Sequence, residues 1–155
     1  MQRLTTLLVI VSLASPPALA DTYYASPQGA SGGDGSRQDP WSISHALAQL
    51  GGGDTLLVMD GTYQGGFATG RAFDDWVTIR AENSYRAKLT NVDAGAQAVF
   101  IYTQGPARII IDGFVISNKH PSHVCQGRES EYLVHIQDAQ DIVLRNNIIY
   151  GNNAP

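Results

Sequence analysis

Cysteine occurs once in the 155 residues, at Cys125, so no disulfide can close within this chain. Lysine occurs only as Lys88 and Lys119, and charged residues make up 15% of the sequence, well under the usual share of about a quarter. Acidic residues outnumber basic ones, 14 to 10, for a formal charge of −4. Nothing in that balance would neutralise a phosphate backbone, which excludes a basic nucleic-acid footprint. The apolar stretch at 7–14 falls short of the ~20 residues that a bilayer-spanning helix needs, so no membrane span is expected. No serine-nucleophile motif occurs. The glycine-rich stretch 29–35 lacks both the Lys-Ser/Thr of a P-loop and a strand-to-helix G-x-G-x-x-G setting. It reads as a loop.

What is present suits a packed core built from short strands. Hydrophobic residues reach 43% and glycine counts 16, without a collagen period. The first 20 residues have a basic start at Arg3, the apolar stretch, Pro16-Pro17, and a final Ala18-Leu19-Ala20. That is the layout of a secretory signal peptide cleaved after Ala20, so the expected organisation is 1–20 leader and 21–155 one domain. The mature chain is then secreted, to the periplasm or outside the cell. Arg3 is the only charge lost, which leaves nine basic against 14 acidic residues, or −5. A lone thiol in an oxidising compartment implies that Cys125 is either buried or parted from a partner.

Apolar runs recur along the rest of the chain, at 55–59, 76–80, 98–102 and 132–136. Steps of 21 and 22 separate the central residues Leu57, Thr78 and Phe100, and 34 separates Phe100 from Val134. Leu89, Ile110 and Val143 give 21 and 33, and Val115 to Ile148 gives 33. One period of 21–22 with a single insertion at 118–131 accounts for these spacings. The bends Asp112-Gly113 and Asn146-Asn147 fall at equivalent places, and Gly and Asn accept positive φ at low cost. Strands of three to five residues with such tight bends predict an all-β chain, a parallel β-helix of roughly four rungs. Its inner column would include Ile109, Ile111, Val143 and Ile148.

A short amphipathic helix is predicted over 41–50, because Ile43, Ala46, Leu47 and Leu50 share one face. Asp39 is its expected N-cap, Pro40 its first position, and Gly51-Gly52-Gly53 its end. It would cap the first rung, with His45 off the apolar stripe. No such cap follows the strand at 148–150, so a solenoid truncated at its C-terminal side, and self-association through that uncapped rung, are expected.

The residues Tyr23-Tyr24-Ala25-Ser26-Pro27, Asp39-Pro40-Trp41, Gly53-Asp54-Thr55-Leu56 and Asp60-Gly61-Thr62-Tyr63 resemble the opening of the pectate lyase-like superfamily. Trp76-Val77-Thr78-Ile79-Arg80 and Ile111-Asp112-Gly113-Phe114 are similar to the same group, which includes chondroitinase B, alginate lyase and pectate lyase relatives. The resemblance implies a right-handed parallel β-helix. It also implies cleavage of acidic polysaccharide by β-elimination, often with Ca²⁺. Catalytic Lys or Arg and calcium carboxylates in that group come from later rungs, so none is carried over to this sequence.

Elimination on a uronate needs a cation against the carboxylate, a base for the C5 proton and an acid for the leaving oxygen. The 118–131 segment and the strand after it hold the candidates: Lys119, His123, Arg128, Glu131 and His135. Long loops on rigid scaffolds commonly carry function; a solvated, decorated turn is the plain alternative. His120-x-x-His123-x-Cys125 implies no fourth zinc ligand by spacing. Asp34 with Asp39, Asp74-Asp75, and Asp138 with Asp141 are candidate calcium carboxylates, a type for which spacing is a poor test. Tyr23, Tyr24, Trp41, Tyr63, Trp76 and Tyr85 are candidate sugar-stacking rings, with Trp41 and Trp76 better placed for core or cap packing. Two functions follow: the N-terminal part of an exported polysaccharide lyase, or a non-catalytic β-helix that binds carbohydrate or belongs to a cell-surface protein.

Overall fold

The computed structural model describes residues 20–91, 97–117 and 132–151. It contains one helix and ten strands, and every strand pairing among the described residues is parallel. The strands are β1 (Thr22–Ala25), β2 (Thr55–Val58), β3 (Gly61–Gln64), β4 (Phe67–Thr69), β5 (Val77–Ala81), β6 (Ala87–Thr90), β7 (Val99–Asp112), β8 (Val115–Ser117), β9 (Val134–Arg145) and β10 (Ile148–Tyr150). Helix α1 spans Ile43–Gln49. The chain is all-β in class.

Three ladders organise the strands. The first runs β1-β2-β5 and on to the C-terminal halves of β7 and β9. The second runs β3-β6-β8-β10. The third joins β4 to the N-terminal halves of β7 and β9. Side chains alternate across each strand, so one row points in and the next out. Tyr23, Leu56, Ile79, Ile111 and Leu144 form one inward row of the first ladder. Leu56, Ile79, Ile109, Ile111 and Ile116 are fully buried, and each is worth roughly 1.5–3 kcal/mol relative to exposure.

Register corrects several sequence expectations. Steps along the first ladder are 33 from Tyr23 to Leu56, 23 to Ile79, 32 to Ile111 and 33 to Leu144. The 21–22 period therefore does not hold, and the chain lengthens at more places than 118–131. Leu89 pairs with Ile116, not Ile110. Val143 pairs with Ile110 and Ile148 with Val115, both on rows only partly covered. Val143 and Ile148 are accordingly exposed, and the partners of buried Ile109, Ile111 and Ile116 are Ile142, Leu144 and Ile149. A one-residue slip in reading a period-two pattern moves a side chain to the opposite face. Strands β7 and β9, at 14 and 12 residues, also exceed the expected three to five. Each turns a corner without ending, and their pairing shifts register between Tyr102 and Gly105 and between Pro106 and Ile109.

The paired bends behave as expected. Gly113 has φ 82° and Asn146 φ 53°, at equivalent places in adjacent strands. Asn147 ties the two bends together: its Oδ1 accepts from the Phe114 N–H at 2.9 Å, and its Nδ2 donates to the Ile111 carbonyl at 2.9 Å.

The helix starts later than predicted. Ser42 is the N-cap, its hydroxyl accepting from the His45 N–H, so neither Asp39 nor Pro40 has the assigned role. Trp41 is committed elsewhere. It makes a parallel bridge to Ala25, and its extended backbone cannot join a helix. Its indole donates to the Gly33 carbonyl at 2.6 Å and stacks on Tyr23 at 4.8 Å. His45, half-buried, meets the same indole edge-on at 5.5 Å. Buried Ile43, Ala46 and Leu47 join the core that runs beneath β1 and β2. Trp41 is buried as expected, whereas Trp76 is 39% exposed and does not pack as core.

Candidate functional site

All of the expected leader 1–20 except Ala20 lies outside the described residues, as do Lys119, His123, Arg128 and Glu131. Of the expected site residues, His135 alone is described. It lies on the outward row of the third ladder, in register with Phe100 and Ala68. The alternation is visible in burial: Phe67, Thr69, Val99 and Ile101 are covered, while Ala68 is exposed and Phe100 half-exposed. His135 rests between two rings, with Phe100 at 5.2 Å and Tyr132 at 5.1 Å. Its Nδ1 is buried and has no hydrogen-bond partner among the described residues. Tyr132 is 51% exposed. One position along, Tyr102 pairs with Gln137, and Gln104 Nε2 donates to the Tyr102 hydroxyl at 3.1 Å.

The described part of this face is aromatic and nearly uncharged. The rows Ala68–Phe100–His135 and Tyr102–Gln137 contain no lysine or arginine. Exposed rings beside an imidazole offer flat apolar faces with polar tips, which suit the C–H faces and hydroxyls of a sugar. The sequence-based choice of stacking rings missed Phe100, Tyr102 and Tyr132. Their signal was register, since Phe100 and His135 are 35 residues apart and meet only through strand pairing.

Two concave surfaces lie elsewhere. A cavity of about 710 Å³ beside α1 is lined by Ser26, Gln28, Ser42, Ser44, Thr62 and Gln64 among others, none of them ionised. It can form neutral hydrogen bonds and has no group for acid–base work. A shallower depression of about 370 Å³ lies on the outward rows of the first ladder, lined by Thr22, Thr55, Leu57, Thr78, Arg80 and Arg145.

Among the described residues, no three His, Cys, Asp or Glu side chains gather to hold a metal ion. Asp34 is engaged locally, accepting from the Ser36 N–H at 2.8 Å, a bond that holds its carboxyl below the ordinary range. No helix among the described residues is long and apolar enough to cross a membrane.

No protein-family profile matches the chain, and no solved structure matches it. A curated protein, the pectate disaccharide-lyase of Dickeya chrysanthemi, is 48% identical over 44 residues. That stretch is 28% of this chain and 6% of the lyase, so the likeness covers a small part of either protein.

Proposed function

We propose that this chain is an exported right-handed parallel β-helix protein, part of a polysaccharide lyase that acts on uronate polymers by β-elimination. Under this reading the leader is cleaved after Ala20, and each circuit of the chain visits the three ladders in turn. The observation that carries the substrate class is the outward cluster of Phe100, His135 and Tyr132 on a rigid stack of parallel strands. The likeness to a pectate disaccharide-lyase supports the same class.

In this reading Phe100 and Tyr132 hold pyranose rings, and the His135 imidazole orients a hydroxyl or carboxylate between them. Lys119, His123, Arg128 and Glu131 come from the segment that ends directly before Tyr132 in the sequence. Lys119 and Arg128 carry the charge sign that a uronate carboxylate requires, and His123 and Glu131 are of the types that move protons near neutral pH. Calcium, where the group uses it, offsets substrate carboxylates. No step here depends on it.

The test is the ultraviolet absorbance of unsaturated uronate products, with polygalacturonate, alginate and chondroitin offered with and without Ca²⁺. Absorbance should rise with one polymer, and His135→Ala and Phe100→Ala should each lower the rate at least about tenfold. A specific observation favours the second reading, a non-catalytic polysaccharide-binding protein: the described part of this face has no lysine or arginine. Binding of a uronate polymer without product would establish that reading instead.

A further inference from the structure

A second surface, on another ladder, has the opposite character. The outward rows of the first ladder bring together residues far apart in sequence. Thr22, Thr55 and Thr78 fall in one row, and Tyr24, Leu57, Arg80, Asp112 and Arg145 in the next. Parallel strands lie about 4.8 Å apart, so the threonine hydroxyls repeat at that interval across three strands. Arg80 and Arg145 are two strands apart, or roughly 10 Å. Together these side chains line the 370 Å³ depression.

The two arginines are not equivalent. Arg145 Nε is paired with Asp112 Oδ2 at 2.9 Å. The other oxygen, Asp112 Oδ1, accepts from Asn146 Nδ2 at 3.0 Å. Both carboxylate oxygens of the only acid in the row are thus engaged. Arg80, next to Asp112 in register, is exposed, and its side chain makes no ion pair or hydrogen bond among the described residues. An unpaired guanidinium beside a ladder of hydroxyls, in a chain with so few cations, is a site for one carboxylate and several neutral hydroxyls. Guanidinium presents a planar donor fork that matches a carboxylate bidentately.

We infer that this depression binds an acidic oligosaccharide, with a uronate carboxylate on Arg80 and sugar hydroxyls on Thr55 and Thr78. The polymer runs across the strands, outside the Phe100–His135–Tyr132 face. The inference rests on the proposed substrate class and adds a second place where the chain holds it. A track away from the chemistry raises the local concentration of a long polymer and is insensitive to where the bond is cut.

The experiment measures the affinity of the whole protein for fluorescently labelled oligogalacturonate by anisotropy, in low and high salt. Arg80→Gln should weaken binding on the order of tenfold and reduce its salt sensitivity. Arg80→Lys should retain most of the salt dependence, and Thr55→Val with Thr78→Val should weaken binding without changing it. Circular dichroism controls for folding, which an exposed side chain such as Arg80 does not govern. The 370 Å³ site is overturned if oligogalacturonate binds and Arg80→Gln leaves the affinity unchanged while Phe100→Ala abolishes it, an outcome that keeps the proposed function. Binding that depends on Arg80 in a protein releasing no unsaturated product supports the track and removes the lyase. No binding of any uronate oligomer removes both.

Discussion

Tyr63 shows how one side chain can link parts of the chain that are distant in sequence. It is 4% exposed, and its hydroxyl lies 2.8 Å from the Met59 carbonyl and 3.1 Å from the Ala25 carbonyl. It therefore ties β1, the end of β2 and β3 together with a single proton. Burial, and then the charges of Asp60 and Glu82, push its phenol far above the ordinary value of 10.0. Tyr23 is also raised, first by desolvation and then by Asp21 and Asp54. Both groups keep their protons in the folded chain at a pH where the unfolded chain has lost them. Their stabilisation is thus complete below about pH 10 and declines as pH climbs past it. Alkaline titration followed by circular dichroism should show unfolding that begins above that pH. Tyr63→Phe should flatten the alkaline limb and cost about 1–2 kcal/mol at neutral pH, measured by urea denaturation. Asp54, 7% exposed, does similar work with an acceptor: it takes the Asp21 N–H at 3.0 Å and the Gly51 N–H at 2.6 Å. The bonds from Tyr63 to Ala25 and from Asp21 to Asp54 had no local sequence signal, because they join residues 38 and 33 apart.

Helix α1 has seven residues and no basic residue in its last turn, so little of its own sequence completes its carbonyl end. The missing donor comes from the β4–β5 connection. Arg71 Nη1 lies within 3.0 Å of the Leu47, Ala48 and Leu50 carbonyls, and its guanidinium packs over the Phe73 ring at 4.9 Å. Arg108, at the corner of β7, binds the Phe73 and Asp74 carbonyls in turn. Arg71→Ala should therefore destabilise the protein by about 1–3 kcal/mol, with Arg71→Lys between it and the parent. Hydrogen exchange should place the loss first at the amides of α1. The helix itself was legible, since Ile43, Ala46 and Leu47 face the core as their spacing implies. Its start was not, because the Trp41 bridge to Ala25 is a tertiary commitment that outweighs the capping preference of Asp39. Parallel short strands and their Gly or Asn bends were also legible. Ladder register was legible only in part: the steps from Ile110 to Val143 and from Val115 to Ile148 are true pairs, but elsewhere spacing in sequence cannot separate rows that differ by one residue, and unequal connections hide the period. The stacking face at Phe100 and Tyr132 was lost with it.

On the scale of the whole molecule the two ends of the ladders differ. At β1 the indole of Trp41 and the apolar face of α1 cover the core, and the buried cluster runs from Ala25 to Ile116. At β9 and β10 the same ladders present Val143, Leu144, Ile148, Ile149 and Tyr150, each 38–47% exposed. Of these, Leu144 and Ile149 continue inward rows whose earlier members are fully buried, Ile111 and Ile116. Strand β10 has one hydrogen-bonded neighbour, β8, among the described residues. Unpaired strand edges and apolar surface of this kind pair readily with another chain. The described protein should accordingly self-associate through β9 and β10. Light scattering across a micromolar concentration series should show mass rising with concentration. Leu144→Lys and Ile149→Lys should each shift the equilibrium toward monomer, because a charge cannot be buried there without a partner. Substitution at Thr62, exposed on β3 at the far side of the same ladder, should not. A monodisperse monomer throughout would mean that the last strands are covered by something other than a second copy.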